Sequence, residues 1–554
     1  MKQSFAGLII LLCCTFSSSC GPNRTFGEGE IALIPKVQKM ILGESSFNFR
    51  GSTKLVVESV DQEVIASQFA DFFEKATGWK LQVVVGGNKG SNQVYFKTEP
   101  VMAPEGYNLE VQNDRIEIKA AKPAGFFYAI QTLRQLLPAE IESLRKRGNI
   151  DWLVPVVDIT DYPAFKWRGF MLDVARHFFP KEDVFRLIDF LALHKINTLQ
   201  LHLVDDQGWR IEIKKYPKLT EVGAWRVDRE DKPWNERAKK QAGETATYGG
   251  FYTQEDIKEM VTYAQERYIT IVPEIEMPAH VSSALAAYPQ FSCTGGPFTV
   301  PSGGKWPDND IYCAGNDSTF LFLQDILSEV IDLFPSKYIH IGGDEANKTE
   351  WESCLKCKAR MKTENLKNVN ELQSYFINRI EKFINSKSRV LIGWDEIHER
   401  GLTADAVIMG WQGIQSGIDA AKQGHDVVMA PNSFVYLDYY QGPKRKEPLA
   451  IGGYLPLKTV YSFNPIPNEL NAEAAKHILG AQANLWTEFV PNIKQAEYMM
   501  FPRIAALAEV VWSHKEVRNW DDFARRIQLV MKRYDQMGIN YSKSGYKVSD
   551  KPNS

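Results

Sequence analysis

Eight short apolar runs, separated by helical segments, constrain this chain more than any other feature. They are Arg168–Val174, Thr198–Val204, Thr270–Ile275, Tyr338–Ile341, Val390–Gly393, Ala406–Gly410, Asp426–Ala430 and Ile478–Ala483. Near-continuous apolar runs, rather than alternating ones, are what parallel strands buried on both faces require. The intervening stretches carry a helical period. In Lys181–His194, Val184, Leu187, Ile188 and Leu191 share one face after Pro180. Thr253–Arg267, Thr319–Phe334, Glu371–Ile384 and Ser416–Gln423 read the same way. Eight such units over about 350 residues predict a (β/α)8 barrel across residues 161–515, with long loops.

Residues 30–160 have a different texture and predict a small α+β unit ahead of the barrel. Its strands are Lys54–Val60, Leu81–Val85, Tyr107–Val111 and Arg115–Ile118. Its helices are Val64–Thr77, ending at Gly78, and Ala124–Leu137, stopped by Pro138. Residues 516–554 are expected to form a C-terminal helical tail.

The first 20 residues read as a targeting segment. Lys2 is followed by an apolar run from Leu8 to Cys14, too short to span a bilayer but suited to a secretory signal. Ser17-Ser18-Ser19-Cys20 resembles a bacterial lipoprotein cleavage site with Cys20 as the lipidated residue, although Ser17 sits where a Leu-like residue is usual. The expectation is an exported protein of the periplasm or cell surface, touching membrane only through that anchor. Cys293, Cys313, Cys354 and Cys357 follow, and an even number of cysteines in an exported chain suggests disulfides. Proximity favours Cys293–Cys313 and Cys354–Cys357. The alternative for Cys354-Leu-Lys-Cys357 is zinc, which needs Cys293 and Cys313 as a second, widely spaced pair. A net charge of −3 with no basic stretch gives no support for a nucleic-acid partner. The 13 Trp are more informative, because indole faces stack on the apolar C–H faces of sugar rings.

In barrels of this kind the active-site residues come from the C-terminal ends of several strands. Here the first run leads into Arg176-His177, the second into Asp205-Asp206-Gln207, and the third through Glu274 and Glu276 to His280. The fourth ends in His340-Ile-Gly-Gly-Asp344-Glu345. The fifth gives Trp394-Asp395-Glu396, the sixth Trp411-Gln412, the seventh Tyr436 and Asp438, and the eighth Trp486 and Glu488. The Gly pair allows close approach of a sugar or another backbone. The adjacent acids Asp344 and Glu345 suit proton transfer on a polar substrate, and each raises the cost of ionising the other.

These segments resemble the β-N-acetylhexosaminidases of glycoside hydrolase family twenty. The similarity rests on R-G-F-M-L-D-V-A-R-H at 168–177, H-L-V-D-D-Q-G-W-R at 202–210, P-E-I-E-M-P-A-H at 273–280 and H-I-G-G-D-E at 340–345. Ala279 departs from the family's usual Gly. The start Ala32–Gln38 and the segments Glu105–Tyr107 and Pro123–Tyr128 resemble the family's N-terminal domain. The resemblance implies a cofactor-free, metal-free exo-hydrolase acting on terminal β-linked N-acetylhexosamine of an oligosaccharide or glycoconjugate. It implies that Glu345 is the general acid and then base, and that Asp344 orients the 2-acetamido group. Tyr436 would bind the acetamido oxygen, with Trp394, Trp411 and Trp486 walling the pocket. Arg176, Glu488 and Asp438 would hold sugar hydroxyls, and Asp205 with His280 would support Glu345. Two adjacent acids do not flank a scissile bond in the usual two-carboxylate manner, which fits the family's use of the substrate's own amide as nucleophile.

Overall fold

The computed structural model describes residues 24–304, 310–399 and 405–544. Cys20 and the expected targeting segment lie outside the described residues. Among the described residues no helix is long and apolar enough to cross a membrane.

The N-terminal unit is a seven-stranded mixed sheet. In chain order its strands are β1 (Lys39–Asn48), β2 (Lys54–Val57), β3 (Gln82–Val85), β4 (Gln93–Thr98), β5 (Tyr107–Val111), β6 (Arg115–Ala120) and β7 (Leu153–Asp161). Their spatial order is β1-β7-β5-β6-β4-β2-β3. β6, β4, β2 and β3 run parallel, while β1, β7, β5 and β6 pair antiparallel. Helices Val60–Thr77 and Pro123–Leu136 pack on each other and on the sheet. The first starts where the Ser59 side chain accepts a hydrogen bond from the Gln62 amide and stops at Gly78, whose φ of +83° suits glycine.

β1, β4 and β7 are not among the expected strands. β1 breaks its alternation with a register shift between Leu42 and Ser46. β7 contains Pro155, which argues against a strand in a sequence reading. The sheet tolerates that proline because it pairs with Ser46, at the edge of the irregularity.

The second unit is a closed barrel of eight parallel strands. They are Trp167–Asp173, Thr198–His202, Thr270–Glu274, Tyr338–His340, Val390–Trp394, Val407–Gly410, Val427–Met429 and Ile478–Leu485. All eight expected runs are strands, shifted by a few residues at their ends. The five expected helices are also present, at Lys181–Leu193, Gln254–Gln265, Asp317–Leu333, Val369–Ser386 and Ile414–Lys422. Closure joins the eighth strand to the first, with Leu485 opposite Leu172.

The C-terminal helix Trp520–Met537 packs back onto both units. Arg526 donates to the Leu33 carbonyl and pairs with Glu509 at 2.7 Å, while Tyr534 Oη lies 2.8 Å from His194 Nε2. At the junction of sheet and barrel, Asp161 at the end of β7 accepts from Lys195 Nζ (2.8 Å), Tyr107 Oη (2.6 Å) and Trp512 Nε1 (3.0 Å). Lys195 and Asp161 are both buried, and burial pushes the Lys195 ammonium down while Asp161 resists that shift. Removing one partner of such a pair leaves an uncompensated charge. Asp161→Ala is therefore expected to destabilise the protein by about 3–5 kcal/mol, read as a lower denaturation midpoint. A change under about 1 kcal/mol would show that the pair behaves like a solvated one.

Candidate active site

The fourth barrel strand ends at His340, and the chain then turns through Gly342 (φ +67°), Gly343 (φ +97°) and Glu345 (φ +47°). Both glycines are needed for space as well as conformation. A Cβ on Gly342 would sit 1.7 Å from Glu276 Oε2, and one on Gly343 would sit 2.3 Å from Ile397 Cγ2. The turn buries Asp344 and leaves the Glu345 side chain 41% exposed. One acid thus faces the protein and its neighbour faces the open mouth. His280, which meets them from the third strand's loop, also has left-handed backbone, at φ +53°. Left-handed conformations in two non-glycine residues carry a cost of about 1–3 kcal/mol each, and such strain concentrates at working sites.

His280 joins two pairs of carboxylates. Its Nδ1 lies 3.5 Å from Asp205 Oδ1 and 3.6 Å from Asp206 Oδ2, and its Nε2 lies 3.5 Å from Glu345 Oε2 and 3.7 Å from Asp344 Oδ2. Burial alone would discharge the ring, but Asp205 and the other acids outweigh it and hold His280 well above its ordinary pKa. The hydrogen bond from His280 in turn pulls Glu345 below the usual carboxylate range. Asp344 moves the other way. Burial pushes it up to about 6, with His280 opposing and Glu345 and Glu274 adding to the rise. Of the two adjacent acids, the one that holds a proton more readily in the free protein is Asp344.

Arg176 anchors the opposite side. Its guanidinium meets Asp205 at 2.8 Å, Asp173 at 3.1 Å and Glu488 at 4.0 Å, its Nε donates to Gln207, and it stacks 4.9 Å from the Trp486 ring. Burial pushes Glu488 up to about 7, Arg176 opposing. Burial and the nearby Glu488 hold Asp438 well above its usual range. This corner is therefore stocked with carboxyls that donate or accept hydrogen bonds near neutral pH.

The aromatic residues form one continuous wall. Trp394 and Trp486 lie 5.8 Å apart, Tyr436 stacks at 6.2 Å on Trp411, and Tyr436 lies 6.5 Å from Trp486. Trp394 is fixed by donating Nε1 to Glu274, and Trp411 by donating Nε1 to Glu396. The charge of Asp344 acts on both Tyr436 and Glu396, so Asp344 lies near this wall. Burial, then Asp344 and Asp395, push Glu396 up to about 8. Arg176, Asp205, His280, Asp344, Glu345, Trp394, Trp411, Tyr436, Asp438, Trp486 and Glu488 thus all gather at the C-terminal mouth of the barrel.

A layer of residues to which the resemblance gives no role lies directly beneath. Asp173, His202, Glu274 and His340 stand in register across four neighbouring strands. His202 bridges Glu274 (2.7 Å) and Asp205 (2.8 Å), and His340 Nδ1 lies 3.0 Å from Glu274. Burial opposes charge on His202, but Glu274 and Asp205 raise it to about 10. The signal for this layer is a charged or imidazole residue closing an otherwise apolar strand. Two groups here, His202–Glu274–Glu276 and Asp205–Asp206–His280, have the proximity of cation sites. Each is an imidazole set between carboxylates, His202 between Glu274 and Asp205 and His280 between Asp205 and Asp206. Both read as hydrogen-bond networks.

The four cysteines depart from the expected pairing. No two of them are bonded to each other, and their sulfurs lie within 4.8 Å of one another. Cys357 Sγ is 3.7 Å from both Cys293 and Cys313, and Cys354 is 3.8 Å from Cys313. Proximity in sequence suggested Cys293–Cys313 and Cys354–Cys357, but the folded loops bring all four into one cluster without a bond of about 2.0 Å between any two.

Comparison with known proteins agrees with this geometry. The glycosyl hydrolase family 20 catalytic domain matches residues 165–515, and the same family's domain 2 matches residues 30–162. A β-hexosaminidase of Porphyromonas gingivalis is 42% identical over 537 residues, covering 96% of this chain and 67% of that protein. The crystal structure of an exo β-N-acetylglucosaminidase from Vibrio harveyi, in complex with N-acetylglucosamine, superposes with a TM-score of 0.81 at 31% identity, covering 94% of this chain and 79% of that one. A β-N-acetylhexosaminidase from Bacteroides fragilis superposes with a TM-score of 0.78 at 31% identity, covering 93% and 98%. With its catalytic-domain match spanning the whole barrel, the chain belongs to glycosyl hydrolase family 20 and is a β-N-acetylhexosaminidase.

Proposed function

We propose that the protein removes terminal, non-reducing β-linked N-acetylglucosamine or N-acetylgalactosamine from glycans, with retention of configuration and with the substrate's own acetamide as nucleophile. The observation that carries this reading is the placement of Asp344 and Glu345. They are neighbours on one turn, joined by His280, and the charge of Asp344 reaches Tyr436 in the aromatic wall. Adjacent residues on one turn approach a sugar from one side of the mouth, whereas the acid and nucleophile of a two-carboxylate enzyme flank the scissile bond.

In the first step Glu345 gives its proton to the glycosidic oxygen as the C1–O bond breaks. The acetamide oxygen attacks C1 from the other face, and the positive charge of the resulting oxazolinium rests on nitrogen beside Asp344. Tyr436 and the Trp wall hold the amide in line, which supplies the proximity that an intramolecular attack requires. In the second step Glu345 takes a proton from water, water attacks C1, and the acetamide is released. Arg176, Asp438 and Glu488 bind the outer hydroxyls and close the pocket behind a single terminal sugar.

Covering Glu345 with substrate removes the water that keeps its carboxylate ionised and so raises its affinity for a proton taken from solvent. An acid held low in the free protein is thus loaded when the sugar binds. The reading is tested with matched chromogenic substrates carrying acetamido, trifluoroacetamido or hydroxyl at C2. The expected order is a steep fall along that series, with no turnover of the hydroxyl compound. Equal rates for acetamido and hydroxyl sugars would exclude amide participation.

A further inference from the structure

The cysteine cluster lies outside the chemistry described so far. Cys293 and Cys313 are twenty residues apart in sequence but adjacent in space, because Ser292 and Tyr312, immediately before them, form an antiparallel bridge. Cys354 caps the helix Leu355–Thr363 and Cys357 lies in its first turn, so their spacing places both sulfurs on one side of a helix start. The two halves are pressed together. Trp351 Nε1 donates to the Tyr312 carbonyl at 2.9 Å, and a Cβ on Gly315 would lie 2.2 Å from the Lys356 carbonyl carbon and 2.3 Å from the Cys357 nitrogen. The chain at residue 315 therefore has room only for glycine.

We propose that Cys293, Cys313, Cys354 and Cys357 form a structural zinc site. The distances favour this over a pair of disulfides. Tetrahedral zinc with Zn–S bonds of about 2.3 Å sets its sulfurs about 3.8 Å apart; three of the pairs here are 3.7, 3.7 and 3.8 Å, and all lie within 4.8 Å. Two disulfides would instead need sulfurs about 2.0 Å apart within each pair. The donor set is all thiolate, which suits a soft or borderline cation and disfavours calcium or magnesium. Four protein ligands close the coordination sphere and leave no open position, as in structural rather than catalytic sites. Cys313 and Cys357 are fully buried, so the ion would be shielded from solvent on at least one side. On binding, each thiol gives up its proton and the ion is held by four thiolates, with no change of oxidation state.

The site has a mechanical consequence. The Cys293–Cys313 half continues the loop that carries His280, and the Cys354–Cys357 half continues the loop that carries Asp344 and Glu345. A four-coordinate clamp would tie these two loops together.

The test uses the full chain produced in zinc-replete medium. Elemental analysis is expected to give about one zinc per chain, with four thiols that react only after denaturation or mercurial treatment releases the ion. Cobalt(II) in place of zinc is expected to give thiolate-to-metal charge-transfer absorption. Cys354→Ser with Cys357→Ser should lose the zinc and lower the Tm. If that variant fails to fold, the metal content and cobalt spectrum of the unaltered chain still decide. A chain isolated without zinc whose mass is short by the hydrogens of two disulfides would overturn the proposal. So would a reduced chain that takes up neither zinc nor cobalt.

Discussion

Glu345→Gln is expected to cut turnover of glycosides with poor leaving groups by about 10²–10⁴-fold, the usual worth of a positioned general acid. The amide fills the same space and still accepts a hydrogen bond from His280, so substrate binding should change little. Aryl glycosides whose leaving group departs without a proton should lose much less in their first step. The variant is therefore expected to show a steep dependence of rate on leaving-group pKa, where the parent shows a shallow one. Its alkaline limb in kcat, which in the parent reports Glu345 losing its proton in the complex, should also disappear. A Glu345→Gln enzyme that hydrolyses natural linkages at the parent rate would remove Glu345 from the role of acid.

Asp344→Asn is expected to lower kcat by about 10²–10³-fold, because a preorganised negative charge beside the developing oxazolinium is lost. The new amide would also turn an N–H group toward the charged His280 or the substrate N–H, where the carboxylate accepted. In the parent, Asp344 must be ionised to act, and burial pushes it up to about 6 in the free enzyme. The kcat/KM of the parent is thus expected to fall as pH drops through about 6, and a profile flat down to about pH 4.5 would contradict that. The same shift has a stability counterpart. A carboxyl whose folded pKa lies above its unfolded value is better tolerated protonated, so its contribution is harmless below about pH 3.8, becomes a cost as pH rises from there, and reaches its full size above about 6. From 3.8 to about 6 that cost is on the order of 1–3 kcal/mol. Asp344→Asn should then raise the denaturation midpoint above about pH 7 while losing activity, and should change it little near about pH 4.

Much of this architecture is legible in the chain because its physical causes are local. A parallel strand buried on both faces must be apolar throughout, so runs such as Thr198–His202 and Ile478–Leu485 announce themselves. Helices announce themselves through a repeating apolar face and through stops such as Gly78 and Pro138. The strands that escape this reading, β1 and β7, are those in which a bulge or a proline interrupts the pattern. The Asp344–Glu345 pair and its glycines are also visible, because close approach and left-handed backbone both demand glycine at 342 and 343.

By itself the sequence determined the kind of barrel and the inventory of groups at its mouth, since burial and backbone conformation act on each residue where it stands. Only the tertiary structure decided how those groups share protons. Glu345 is held low and Asp344 high because His280, arriving from another strand, lies nearer one and burial falls on the other. Tertiary structure alone also gathered Asp173, His202, Glu274 and His340 into one layer, through strand register. It likewise drew the four cysteines into a single cluster rather than the two neighbouring pairs that their spacing suggests. Electrostatic coupling and coordination depend on distances of a few ångströms between segments far apart in the chain, and those distances exist only once the loops have packed.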